Sequence, residues 1–196
     1  MTTLVLLDTN TYLRLAKRVR PAVGRHFGQK DYVLTVLKAV EDEVHRNPRL
    51  KSRYPWFDEA EFANERLAKQ VRLAPEEKQT VQAVQSVLRA AVLEDAERFS
   101  SNGRSPPGST DCWLLAFGQV RPAIVVTDDL GMHDLAKSFD IKVWHGYELL
   151  DKLRSAKVVD ADLIREIYDA LERNGDLTQT WIEAKHSVFA RVFGLA

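Results

Sequence analysis

Short runs of apolar and β-branched residues recur along the chain, separated by longer stretches with helical patterning. In the first run, Leu4 to Leu7, no polar residue intervenes, which is typical of a strand buried on both faces of a sheet. Strands that alternate with helices predict a parallel sheet with crossover helices, and therefore an α/β fold with four or five strands flanked by helices. The predicted strands are Leu4–Leu7, Asp31–Thr35, Ala123–Thr127 and Ile141–Trp144.

Helical patterning also fills the middle and the end of the chain. Residues 57–71 and 75–99 are rich in strong helix formers, and a loop is predicted at Ser100–Ser109, which is rich in Ser, Pro and Gly. The last helix carries an apolar stripe, which we expect to pack on the sheet domain; a homodimer or partner surface is the alternative. The helices predicted after Trp144 are Tyr147–Ser155, Asp160–Arg173 and Thr178–Phe193.

Composition narrows the class of protein. The chain has 196 residues, of which 45% are hydrophobic and 29% charged, enough for one well-buried α/β domain, or for one domain with an appendage. The formal net charge is zero, so an anionic polymer would have to be held by local basic patches. A single cysteine, Cys112, and the lack of a signal peptide or a long apolar run predict a cytoplasmic protein without a membrane anchor.

Acidic residues follow two of the predicted strands. Asp8 comes directly after the first strand, and Asp128 and Asp129 follow the third. Open parallel sheets bind ligands at the carboxyl ends of their strands, so these carboxylates are expected at one edge of the sheet. A carboxylate placed there is costly unless a positive partner meets it.

Helical geometry selects one acid from the segment Thr35–Arg46. At about 100° per residue, Glu43 lies roughly 60° from Val40, at the edge of the apolar face of this helix. Glu41 and Asp42 point further from that face, and we expect both to be solvated.

A fourth acid begins the helix predicted at Ser109–Gly118. Asp111 shares a face with the apolar residues that follow it at i+3 and i+4, and Ser109 or Thr110 is expected to cap the helix. Two interpretations remain open for Asp111: an inward-facing functional acid, or an acid that stabilises the helix N-terminus.

These acids come from four separate segments: Asp8, Glu43, Asp111 and Asp129, with Asp128 as the alternative to the last. Clustered carboxylates repel one another and require cations to stay ionised. Oxygen ligands without supporting Cys or His favour Mg²⁺ or Mn²⁺. The five histidines show no ligand spacing and are expected at the surface or at helix ends, with His133 kept as a remote candidate because it follows Asp129 closely.

Four motifs in order, "LVLLDTN", "VEDEV", "STDCWLLAF" and "VVTDD", resemble the acidic motifs of PIN-domain ribonucleases, a family that includes the VapC-type toxins. Their matching acids are Asp8, Glu43, Asp111 and Asp129. The resemblance covers Thr2 to about Leu150, and it implies a PIN-like nuclease domain over 1–150 with a helical insertion at about 54–99. Residues 151–196 would then form a helical extension packed on that domain.

The resemblance implies a Mg²⁺- or Mn²⁺-dependent endoribonuclease that cuts single-stranded or looped RNA. Asp8 and Asp111 would be principal metal ligands, Asp129 a ligand of the same or a second ion, and Glu43 a ligand or the base that orients water. Asn10, Thr127 and Asp128 would support them. Whether the chain is the toxin of a toxin–antitoxin pair, with an antitoxin protein as partner, is left open.

Two basic segments, Lys17–Phe27 and His45–Trp56, are candidates for holding RNA, and the second ends in aromatic residues that can stack on unpaired bases. Solvated charges at helix ends are the alternative interpretation. The candidate RNA-binding residues are Arg18, Arg20, Arg46, Arg49, Lys51 and Arg53.

Other protein classes fit less well. A haloacid dehalogenase-type phosphotransferase needs a second Asp two positions after the first, where Asn10 stands. A response-regulator receiver has its acidic pair early in the chain, whereas here the pair Asp128–Asp129 is late. The more serious alternative is a PIN-like fold that serves as a non-catalytic binding or scaffold module.

Overall fold

The computed structural model describes residues 2–100 and 105–195, so residues 101–104 of the predicted loop Ser100–Ser109 lie outside the described part. The described residues form one five-stranded sheet and ten α-helices, which confirms the predicted α/β fold. The strands are β1 Thr3–Leu7, β2 His26–Phe27, β3 Tyr32–Thr35, β4 Ala123–Val126 and β5 Val143–Trp144. The helices are α1 Thr9–Leu15, α2 Lys38–Arg46, α3 Pro48–Arg53, α4 Ala60–Ala68, α5 Pro75–Glu94, α6 Ser109–Val120, α7 Leu130–Ser138, α8 Gly146–Ser155, α9 Ala161–Arg173 and α10 Gln179–His186.

The sheet has the order β2-β3-β1-β4-β5, with β1 at its centre. β1 pairs in parallel with β3 and with β4, and β4 pairs in parallel with β5. The predicted strands are all present, and the uninterrupted apolar run of β1 is explained because Val5, Leu6 and Leu7 are completely buried. The short antiparallel edge strand β2 was not predicted, since two residues carry no detectable periodicity.

A buried arginine joins α4 of the central helical region to α2 of the sheet domain. The Arg66 guanidinium, on α4, donates from Nε to Glu41 Oε1 at 2.6 Å and from Nη2 to the Phe57 carbonyl at 2.9 Å. The prediction that Glu41 is solvated was therefore wrong, because α4 brings a cation over it and leaves its side chain 15% exposed. The Asp42 side chain is 48% exposed, in line with the expectation, and lies 3.3 Å from the Lys38 ammonium.

The C-terminal part of the chain folds as three helices that follow the predicted segments, although α10 ends at His186 rather than near Phe193. The apolar stripe predicted on the last helix, Thr178–Phe193, is only partly buried. Trp181 is buried, whereas Ile182 and Val188 are 37% and 39% exposed. Tyr168 of α9 packs edge-on against the Trp181 ring and donates its hydroxyl to the Trp181 carbonyl at 3.0 Å. Among the described helices, none combines the length and apolarity needed to cross a membrane.

Candidate active site

Asp8 lies at the end of the central strand, where the chain turns into α1. Its carboxylate caps the helix by accepting the Thr11 backbone N–H at 2.6 Å, and its own backbone N–H donates to the Val126 carbonyl at 3.1 Å. The residue is only 6% exposed. Burial raises the pKa of the Asp8 carboxyl, hydrogen bonds from Thr11 and Thr127 partly offset this rise, and the charge of Asp128 adds to it.

Glu43 reaches the same edge of the sheet from α2. Its Oε2 accepts the Thr9 hydroxyl at 2.6 Å, and Thr9 is the residue that follows Asp8. This hydrogen bond joins the last turns of α2 to the first turn of α1. Glu43 is the residue that helical geometry placed at the edge of the apolar face of α2.

Asp111 occupies the first turn of α6. Its Oδ2 accepts the Gly108 backbone N–H at 2.7 Å, so the helix begins at a glycine N-cap and neither Ser109 nor Thr110 caps it as predicted. The physical reason is that the Asp111 carboxylate already satisfies the free N–H, while the Ser109 hydroxyl is engaged by Gln85 at 3.1 Å.

The four acids are electrostatically coupled at Asp111. The pKa of Asp111 is raised to about 6, chiefly by burial; the charges of Glu43, Asp8 and Asp129 contribute to the rise, and the Gly108 N–H opposes it. Carboxylates from four separate segments of the chain therefore interact at this edge of the sheet.

Asp128 and Asp129 have different environments although they are adjacent. Asp128 accepts hydrogen bonds from the Arg14 guanidinium at 2.5 Å and from the Gly146 backbone N–H at 2.9 Å, so its carboxylate is paired with a cation. Asp129 caps α7 by accepting the Met132 N–H at 2.9 Å, and no such cation is recorded against it among the described residues. The structure thus favours Asp129 over Asp128 as the fourth interacting acid.

The Thr127 side chain acts on both Asp129 and Asp8. It is completely buried, its Oγ1 accepts the Asp129 backbone N–H at 3.1 Å, and its hydroxyl lies 3.4 Å from the Met132 sulfur. The same side chain lowers the pKa of Asp8. The hydroxyl thus gives the Asp129 N–H a partner that an apolar side chain would not supply.

A cleft of about 290 Å³ opens beside these residues. Asp8, Asn10, Asp128 and Asp129 line it from the sheet side. Glu43 and Asp111 do not belong to the described lining, so the cleft exposes two of the four predicted acids together with the two supporting residues Asn10 and Asp128.

The donor chemistry of the acids fits a hard divalent cation, since all four supply carboxylate oxygens and their mutual repulsion at Asp111 is what a cation relieves. Within residues 2–100 and 105–195, however, no three His, Cys, Asp or Glu side chains are close enough together to hold a metal ion as they stand. Each carboxylate instead accepts a hydrogen bond from a neighbouring hydroxyl or N–H, so binding a metal ion would require side-chain movement. The donors are Thr9, Thr11, Gly108 and Met132.

Two of the six predicted RNA-binding residues, Arg18 and Arg53, line the cleft. Arg20 is instead held by Glu61 at 2.7 Å, because the central helices bring carboxylates to it. Arg46 donates to the Asp42 carbonyl at 2.9 Å. Arg49 and Lys51 are exposed and are not among the described residues that line the cleft.

Sequence reasoning missed Arg14, which lines the cleft and neutralises Asp128. Its spacing is a signal that was available, since Arg14 lies four residues after Asn10 on α1 and therefore on the same helical face.

No protein-family profile and no curated protein sequence matches the chain. Among solved structures, it is similar to FitAcB from Neisseria gonorrhoeae, with 14% identity and a TM-score of 0.46 over 73% of this chain and 98% of that one. It is also similar to FitAB bound to the IR36 DNA fragment, with 12% identity and a TM-score of 0.43 over 72% of this chain and 94% of that one. VapBC2 from Rickettsia felis bound to a promoter DNA fragment gives 12% identity and a TM-score of 0.39 over 73% and 98%. At such identities and scores these likenesses say nothing about the chemistry of the cleft.

Two histidines stack beside the cleft, a feature that the sequence did not indicate. The rings of His133 and His145 are 3.8 Å apart and nearly parallel, and His133 Nε2 lies 2.9 Å from the Thr127 carbonyl. His145 begins α8 and lies 3.9 Å from Asp128. Burial lowers the pKa of His145, and the neighbouring His133 lowers it further. The stack packs against the Thr127–Asp128 segment, and the lowered pKa favours the neutral form of His145.

Proposed function

We propose that this protein is a PIN-type, metal-dependent ribonuclease that hydrolyses phosphodiester bonds in single-stranded or looped RNA. The observation that supports this most strongly is the coupling of Asp111 to Asp8, Glu43 and Asp129 at the carboxyl edge of the sheet. Burying mutually repelling carboxylates destabilises a fold, and a bound cation offsets that cost.

In this proposal Asp8, Asp111 and Asp129 would hold Mg²⁺ or Mn²⁺, and Glu43 would be a further ligand or orient water. Such an ion would lower the pKa of water and stabilise charge on phosphate oxygens. The chain's own contribution is to keep the acids aligned: Thr11 and Thr127 favour the charged form of Asp8, and the Thr9 hydroxyl orients Glu43.

The choice of RNA rests on the resemblance of the four ordered acidic motifs. A toxin of a toxin–antitoxin pair is one form of the same proposal, in which a small partner protein inhibits the cleavage. Such an enzyme would act in the cytoplasm, where its buried thiol, Cys112, stays reduced; burial raises the pKa of that thiol to about 11.

A non-catalytic binding module is the second candidate. It is favoured by the hydrogen bonds that already satisfy each acid, and by the fact that no three potential ligands converge among the described residues. Such a protein would bind nucleic acid in the cleft without cutting it.

The deciding experiment is cleavage of a labelled single-stranded RNA with Mg²⁺, with Mn²⁺ and with EDTA. We expect metal-dependent cleavage in the parent and its loss in Asp8→Asn and Asp111→Asn, which keep side-chain size and remove the charge. Asp42→Asn is the matched control, because it removes an exposed carboxylate one residue from Glu43 and should retain activity. Cleavage that persists in EDTA or in both site variants would contradict the proposal.

A further inference from the structure

The C-terminal extension, residues 151–195 of the described chain, forms one wall of the acidic cleft. Asn174, Asp176 and Thr178, from the segment between α9 and α10, line the cleft opposite Asp8 and Asp129. The extension is therefore part of the surface that any cleft-bound ligand must touch.

Two cleft arginines are paired with carboxylates of this extension. Arg18 Nε lies 3.2 Å from Glu166 Oε1, and Arg53 Nη2 lies 3.4 Å from Asp176 Oδ2. The arginines belong to segments 148 and 123 residues away from these acids. Both contacts therefore join the PIN-like part of the chain to the extension, and Arg18, Arg53 and Asp176 also line the cleft.

These two pairs are exchangeable, whereas the third arginine pair in the cleft is fixed. The Arg53 and Asp176 side chains are 53% and 40% exposed, and the Arg18 and Glu166 side chains are 26% and 58% exposed. Exposed ion pairs contribute little to stability. Arg18 also donates from Nη1 to the Arg14 carbonyl at 2.9 Å, and this bond does not involve Glu166. Arg14 and Asp128 are only 18% and 10% exposed, and Asp128 is held by a second hydrogen bond from Gly146. A ligand anion would therefore displace the extension's carboxylates from Arg18 and Arg53 before it displaced Asp128 from Arg14.

A phosphate competes well for such arginines, because a guanidinium binds phosphate oxygens through two parallel hydrogen bonds. An aromatic ring lies beside one of them: Tyr54 also lines the cleft, 5.6 Å from the Arg53 guanidinium. A cation next to an aromatic face is the combination that holds a single strand, with the phosphate on one and an unpaired base on the other.

We propose that Arg18 and Arg53 are phosphate-positioning residues and that Glu166 and Asp176 occupy them in the free protein. The extension thereby sets the affinity of the cleft for a single-stranded nucleic acid. This inference rests on the proposed function, since it takes a nucleic acid as the ligand of the cleft.

The test measures binding of a short fluorescein-labelled single-stranded RNA of mixed sequence by fluorescence anisotropy. EDTA is present so that metal-dependent cleavage does not contribute. Asp176→Asn and Glu166→Gln should each tighten binding about two- to fivefold, the range expected for an exposed ion pair. Asp162→Asn is the matched control: it removes one charge from the same extension, its side chain is 90% exposed, and its partner Arg165 is local, so binding should not change.

The arginines give a second readout that a structural role would not affect. Arg53→Gln should weaken binding, abolish the gain from Asp176→Asn, and lower the slope of log affinity against log salt by about 0.7, the value of one lost phosphate contact on a single strand. In cleavage assays with metal, the same variant should raise KM and leave kcat unchanged. Thermal unfolding of each variant checks that the extension stays folded.

The two proposals fail separately. If Asp176→Asn binds no more tightly than Asp162→Asn, or if Arg53→Gln keeps the parent affinity and salt slope, the inference is overturned even where cleavage is metal-dependent. If the extension variants tighten binding as expected but no metal supports cleavage, the inference stands and the nuclease assignment fails. A parent protein and variants that bind no RNA in EDTA overturn the inference, whereas the nuclease assignment is overturned only by the cleavage assay with metal.

Discussion

Replacing Asp111 by Asn should stabilise the metal-free protein at neutral and alkaline pH. The folded protein keeps the Asp111 proton up to a pKa of about 6, compared with an ordinary value of 3.8. Between these values the folded state binds more protons than the unfolded state, so its stability falls as the pH rises through this range. Asparagine carries no charge, and its carbonyl oxygen can still accept the Gly108 N–H that begins α6.

The size of the effect follows from the pKa. At about 1.4 kcal/mol for each pH unit, the rise from 3.8 to about 6 corresponds to about 3 kcal/mol of unfolding free energy lost above pH 6. For a chain of this length, that is a change in Tm of about 6–12 °C. The Asp111→Asn variant should therefore match the parent near pH 4 and exceed it in stability by about 2–3 kcal/mol at pH 8.

The assay is urea unfolding in EDTA across this pH range, comparing the parent, Asp111→Asn and the exposed control Asp162→Asn. Adding Mn²⁺ should then stabilise the parent more than Asp111→Asn, because a ligand that binds only the folded state raises its stability. Parallel pH curves for parent and variant would refute the reasoning, since they would show that Asp111 is not buried against the other acids.

Two further substitutions test how the site is supported. Arg66→Met should lower the unfolding free energy by about 3–5 kcal/mol in urea, because it leaves Glu41 without its cation, and a loss below about 1 kcal/mol would contradict this account. Thr127→Val should cost about 1–3 kcal/mol, since it removes the acceptor of the Asp129 N–H. The same variant should move the acidic limb of the cleavage pH profile to higher pH, because the pKa of Asp8 loses a lowering hydrogen bond; an unchanged limb would rule out that bond.

Periodicity along the chain predicted four of the five strands of the described sheet and the segments from which its acids come. An uninterrupted apolar run identified β1 because a central parallel strand is buried on both faces, and Asp8 at its end follows directly. The turn of the helix placed Glu43 toward the first strand end, where Thr9 now holds it. Periodicity did not predict the edge strand β2 or the residue at which α10 ends, because both depend on contacts with other segments of the folded chain.

Ion pairs between distant segments could not be read from the sequence. Glu41 was expected in solvent because its partner, Arg66, lies 25 residues later in the chain. Asp128 and Asp129 could not be told apart from the sequence, because the cation that pairs with Asp128 is Arg14, which lies 114 residues away. The sequence by itself determined which acids reach the sheet edge, because strand and helix periods are local properties of the chain. Only the tertiary structure decided which acids are neutralised and that the C-terminal extension walls the cleft, because both depend on groups that approach each other only when the chain is folded.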